Sequence, residues 1–159
     1  MAIFSNGSGT NIDLELTPKG TGRVEAIGPT AIQEVFEKAT ISATAATGTV
    51  NFDVMTQAVL YYTSNASGNW TLNIRGDGSN SLDSIMNTGE SCTIAHLVTM
   101  STAYYNSAVQ IDGSSVTPEW QGGSAPTTGN ASSVDVYTYT VIKTGSATFK
   151  VFAAQTQFA

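Results

Sequence analysis

The sequence predicts an all-β protein, an antiparallel β-sandwich or jelly roll preceded by a short N-terminal β-hairpin or extended attachment segment. Three observations predict it. From Ala39 onward the chain is rich in Thr, Val, Tyr and Phe, which fit a pleated surface. Short apolar-alternating runs recur, with turn clusters such as Ser64-Asn65-Ala66-Ser67-Gly68, Gly76-Asp77-Gly78-Ser79-Asn80 and Lys143-Thr144-Gly145-Ser146 between them. Many short strands at this spacing suggest a sandwich or jelly roll.

At the N-terminus, Ile12, Leu14 and Leu16 alternate with Asp13, Glu15 and Thr17, which is the period of a half-buried strand. Pro18-Lys19-Gly20-Thr21-Gly22 supplies a turn, and Arg23–Ile27 alternates again, so a hairpin is expected up to Gly28-Pro29. Three apolar positions per strand cannot hold a hairpin together in water, so this piece must pack on something else, copies of itself or a larger assembly. Pro29–Lys38 reads either as one or two helical turns, with Ile32, Val35 and Phe36 on one stripe, or as an extended linker. Residues 1–38 are therefore taken as an attachment segment and 39–159 as a head domain. Ile12, Leu14, Leu16, Ile32, Val35 and Phe36 are the candidates for a contact between subunits.

Within the head domain the expected strands are Thr40–Thr44, Thr49–Val54, Ala58–Thr63, Trp70–Arg75, Ser91–Met100, Ala108–Asp112, Val134–Lys143 and Ala147–Gln155. Leu82–Met86 is a candidate helical turn. Ser115–Ser133 is left as one long loop, with Trp120 as its anchor, and loops of that length are usually functional or tied down. No repeat of 20–50 residues stands out, which argues against a solenoid or propeller.

Composition narrows the function. The chain has 159 residues, a net charge of −6 and only 11% charged residues, against about 25% in ordinary soluble domains. Its six basic residues are scattered, whereas binding to phosphates or to an anionic membrane needs them clustered. Neither a nucleic acid nor a membrane is expected as a partner. Cys92 is the only cysteine, which rules out an intrachain disulfide framework. The first residues contain no basic or apolar run of a secretory signal, and no apolar stretch is long enough for a transmembrane helix.

Catalytic chemistry finds little support. His96 is the only histidine. Four residues along a strand separate it from Cys92 by about 13 Å, too far for a nucleophilic pair. One Cys and one His cannot make a zinc site. Asp77, Asn80 and Asp83 offer oxygen ligands but lack the density of a calcium loop. Arg75-Gly76-Asp77 and the sequons at Asn6, Asn65, Asn69 and Asn130 read as accidents of a chain rich in Ser, Thr, Asn and Gly. No paired carboxylates, phosphate-binding loop or nucleophile elbow is marked. No enzyme activity and no cofactor are expected. Exposed aromatics are the remaining candidates: Tyr62, Tyr105 and Trp120 would serve as subunit contacts or as stacking platforms for a host-surface glycan.

The C-terminal half carries an ordered series: Ile111-Asp112-Gly113, Glu119-Trp120-Gln121-Gly122-Gly123, Ala125-Pro126, Gly129-Asn130, Asp135–Gly145 and Val151–Phe158. This series resembles the C-terminal domains of structural and fibre proteins of tailed phages, marine and cyanobacterial ones in particular. Asp13–Val24 is similar to a short β-motif of fibre shafts that often precedes a trimeric head. The resemblance spans roughly Asn11 to Phe158. It implies a virion protein that forms a homotrimer and contacts other virion proteins of the capsid, neck or tail. Full tail fibres carry longer shafts than this chain has, which favours a short projection, head decoration or neck fibre over a long receptor-binding fibre.

Overall fold

The computed structural model describes residues 14–158. The chain divides into two units, residues 1–35 and 36–159.

The described part of the first unit contains no strand and no helix. The turn forms where Pro and Gly predict it, with Gly22 N–H donating to the Lys19 carbonyl at 3.1 Å, but its flanks do not pair. The hairpin expected from Ile12 to Ile27 is thus corrected to an extended segment, with Ile12 itself outside the described residues. The physical reason is the shortage of partners: too few apolar side chains are available to hold two isolated strands. Leu14, Leu16, Val24, Ile27, Ile32 and Val35 are all exposed. Of the two readings of Pro29–Lys38, the extended linker is the one seen; no helical turn forms, and Phe36 is 95% exposed.

The regular structure of the second unit is almost entirely strand. Sheet A has the order β1-β3-β5-β9-β10-β8 and sheet B the order β2-β4-β6-β7. In sheet A these are β1 (Ala39–Ala45), β3 (Val59–Ser64), β5 (Ser91–Met100), β8 (Glu119–Trp120), β9 (Ser133–Gly145) and β10 (Thr148–Phe158). Sheet B holds β2 (Gly48–Asp53), β4 (Trp70–Arg75), β6 (Asn106–Ile111) and β7 (Ser114–Val116). The expected strands all form, with ends shifted by a few residues.

Both sheets are mixed rather than antiparallel. The first six strands alternate between the sheets, and within each sheet they run parallel: β1 with β3 and β3 with β5, β2 with β4 and β4 with β6. The chain therefore winds between the sheets, returning to each in the same direction. Ala39 pairs with Val59, which pairs with Ala95; Gly48 pairs with Trp70, which pairs with Asn106. The second winding is much longer than the first because it carries the insertion with α1 (Leu82–Ile85). That unequal spacing hides the recurrence from a search for a fixed period. Only β5, β9 and β10 form the expected antiparallel neighbours, with β7 on β6 in the other sheet.

One core serves both sheets. Phe52, Trp70, Leu72 and Ile74 of sheet B pack in the same buried cluster as Ile94, Val98, Tyr137, Tyr139 and Val141 of sheet A. The Trp70 ring meets Tyr137 edge to face at 5.5 Å. Alternation explains the choice of side chains: along β5, Ile94, His96, Val98 and Met100 are buried, and the residues between them are not.

Helix α1 is held by its neighbours rather than by its own length, since an isolated turn does not survive in water. The Ser81 side chain caps it, accepting from Ser84 N–H at 3.1 Å. Both Asp112 carboxylate oxygens accept from its first N–H groups, Leu82 at 2.6 Å and Asp83 at 3.0 Å. From β9, the Lys143 ammonium donates to the carbonyls of Asp83 (2.5 Å) and Met86 (2.9 Å) and pairs with the Asp83 carboxylate at 2.7 Å. Ala147 N–H donates to the same carboxylate at 2.7 Å.

Candidate functional site

Trp120 sits where the predicted long loop crosses the edge of sheet A. The loop is better ordered than expected: β7 occupies its start, β8 pairs in parallel with β10, and a 3-10 turn follows at Gln121–Gly123. Gly122 and Gly123 both take φ of 82°, a conformation that disfavours any side chain. In register, Ala153 faces Trp120, and the indole packs against Tyr139 at 6.0 Å with an angle of 72°. Trp120 is half-buried and lines two grooves. One, of about 340 Å³, runs past Thr138, Thr140 and Phe152. The other, of about 470 Å³, runs past Ser107, Val109, Val116 and Pro118.

Tyr62 and Tyr105 do not join it, since neither lines those grooves. The Tyr62 ring turns inward, meeting the His96 ring at 5.4 Å and 85°, and burial pushes its phenol up. The outward member of that pair is Tyr61, so the assignment of Tyr62 as a surface aromatic is corrected. Its strand phase matches that of Leu60, His96 and Val98, and this phase could be read only by knowing which face of β3 is covered. Tyr105 is half-buried; its N–H donates to the Asn69 side chain at 3.1 Å and its carbonyl accepts from Trp70 N–H. Trp70, Tyr137 and Tyr139 are core residues and present no face to a sugar.

His96 is wholly buried. It contacts the rings of Tyr62 and Trp70, and neither of its nitrogens has a hydrogen-bond partner in the protein. Burial lowers its pKa to about 3, so it is a neutral aromatic filler at ordinary pH. Cys92 is half-buried and burial raises its thiol, which leaves it a poor nucleophile.

A buried polar network that no sequence motif announced runs along β9. Asp135, Tyr137 and Tyr139 point inward along alternate positions. Gln155 Nε2 donates to Asp135 Oδ2 (2.6 Å), to the Tyr137 hydroxyl (3.0 Å) and to the Thr128 carbonyl (3.1 Å). The Tyr139 hydroxyl donates to Asn106 Oδ1 at 3.0 Å, and Asn106 Nδ2 donates to the carbonyls of Trp70 and Ala108. Burial raises the Asp135 carboxyl, opposed by Gln155 and by the N–H of Asn130. Its one trace in the sequence is the Asp-x-Tyr-x-Tyr spacing. With these partners the group ties the sheets and the Gly129-Asn130 loop together, and it presents no nucleophile or metal ligand set.

The Asp77 loop closes on itself. Asp77 Oδ1 accepts from Ser79 N–H and Asn80 N–H, both at 2.7 Å, and the Asn80 amide donates to both oxygens at 3.0 Å. These bonds hold its carboxylate low. Among the described residues no three His, Cys, Asp or Glu side chains are grouped as a metal site. Among the same residues no helix is long and apolar enough to cross a membrane.

Comparisons with family models, with curated proteins and with solved structures each found no match.

Proposed function

We propose that this chain is a virion structural protein of a tailed bacteriophage, a short homotrimeric fibre, head decoration or neck projection exposed on the particle surface. The observation that carries the proposal is the pairing of an extended segment, whose Leu14, Leu16, Ile27, Ile32 and Val35 side chains stand exposed, with a low-charge β unit that has its own core. Exposed apolar side chains of this kind suit burial against other chains. The resemblance of Asp13–Val24 to fibre-shaft motifs supplies the trimer. In its finer form the fold is a β-sandwich, supported by the edge-to-face contact between Trp70 and Tyr137; the parallel neighbours β1-β3-β5 and β2-β4-β6 weigh against the jelly-roll form. The protein acts without catalysis or cofactor, and its partners are copies of itself and other virion proteins.

A second reading is favoured by Trp120 alone: a receptor-recognition module of a tail fibre that binds host-surface polysaccharide in the grooves beside that indole. Glycan binding by the intact protein that is lost on Trp120→Ala would select it.

The test of the main reading is an antibody against the chain applied to purified phage particles, together with the native mass of the recombinant protein over a range of concentrations. Labelled particles and a trimeric mass are expected. Particles that lack the chain would overturn the virion assignment.

A further inference from the structure

The outward faces of the two sheets differ sharply. On sheet B the outward residues are polar. Asn73 donates to Asn51 at 2.9 Å, and Arg75 pairs with Asp53 at 2.6 Å. On sheet A the outward rows, read across the strand register, are Ile41–Tyr61–Leu97–Val136–Thr156 and Ala39–Val59–Ala95–Thr138–Ala154. The row Thr93–Thr140–Phe152 flanks them on one side, and Thr99–Val134–Phe158 on the other. Ile41 is 71% exposed, Phe152 47% and Phe158 53%. The four rows themselves carry no charge; Glu119, in register with Phe152, and Lys150, one row further out beside Ile142, flank them at one margin and pair with each other at 2.5 Å.

The sixteen residues of these rows, each covering about 4.8 by 6.7 Å of sheet, give a face of roughly 500 Å² in projection. That is the scale of a small protein interface, below the ~800 Å² per partner of a standard one. Contiguous apolar patches beyond a few hundred Å² mark interaction surfaces. The charge distribution selects the occupant. The chain carries a net charge of −6, so two copies repel unless they meet through a neutral surface, and this face is neutral. An anionic lipid surface or nucleic acid would require basic residues that the face lacks.

We propose that the outward face of sheet A is the surface through which copies of this chain pack on one another. The proposal rests on the self-assembly part of the reading above but locates the contact in the β unit, not in residues 14–35. A lysine in the middle of the face, Val136→Lys, would be buried unpaired in the assembly while standing in solvent in the separated chain.

The test is sedimentation of the full chain and of Val136→Lys across concentrations, with thermal unfolding to confirm that each is folded. Thr138→Lys serves as a second variant, since Thr138 is exposed on the same face. Asn51→Lys on the polar face of sheet B is the control. At least a tenfold rise in the dissociation constant is expected for both sheet A variants and none for the control. An assembly that all three variants leave unchanged overturns this inference while the virion reading stands. A monomeric wild-type chain, with the face bare or covered by its own residues 14–35, overturns both this inference and the self-assembling fibre.

Discussion

His96 shows how a single buried side chain sets a pH limit. Its pKa is about 3 in the folded chain, against about 6.5 unfolded. Between those values the unfolded chain binds a proton that the folded one does not, so this residue's contribution falls as pH falls through 6.5 and continues to fall towards 3. At pH 5 the loss is about 2 kcal/mol relative to pH 7.5. Denaturant titrations at the two pH values should show it, and His96→Phe should remove most of the slope. Asp135 acts with the opposite sign, since its raised carboxyl favours the folded state when protonated and loses that advantage as pH rises. Gly129 is equally specific. A Cβ there would collide with the Tyr104 carbonyl and crowd the Met100 sulfur at 3.0 Å and Asp135 Oδ2 at 3.1 Å. Gly129→Ala should cost about 2–3 kcal/mol, read as a fall in the unfolding midpoint.

At the scale of elements, α1 exists because Asp112, Lys143 and Ala147 hold it. Lys143→Met keeps the stem of the side chain but strands the carbonyls of Asp83 and Met86. It should destabilise by about 2–4 kcal/mol and speed amide exchange across Leu82–Met86 before the sheets are affected. Most of these elements were legible. Period-two runs located every long strand, and Leu82–Met86 was legible as a helical turn. Strands β7 and β8 were not, because three and two residues carry no period. The hairpin was misread because alternation at Leu14 and Leu16 reports a strand face only when something exists to cover it. Trp120 was legible as an anchor. Tyr62 was assigned to the wrong side because a pair of adjacent tyrosines does not reveal its phase.

For the whole molecule, the parallel winding of β1 to β6 was the feature least visible in sequence. Pairing partners lie far apart along the chain, and the unequal windings leave no fixed repeat. The scarcity of charge was visible, and it has a measurable outcome. If copies meet through the neutral face of sheet A, raising salt from about 50 to 500 mM should not weaken the assembly, because the contact draws on apolar burial and the one ion pair at its margin lies within a single chain. Sedimentation at the two salt concentrations checks this, and a tenfold weakening would point to charged loops as the contact instead.

The direction of the sheet A strands has a mechanical consequence. β10 runs antiparallel to β9, and β9 antiparallel to β5, so β10 points the same way as β1. The chain enters this sheet at Ala39 on the edge strand β1 and leaves it at Phe158 on β10, one strand in from the short edge strand β8, travelling in the same direction at both points. Ala39 lies level with Ala154 in the register, so Phe158 stands only about 13 Å further along the strands but about 19 Å across them. A pull applied between those two residues therefore runs obliquely, more across the sheet than along it. Tethered through the residues before Ala39 and tugged near Phe158, the protein would yield first at the exposed edge, with β1 peeling from β3 at its Ala39 end, while the long β5, β9 and β10 strands behind it stay paired.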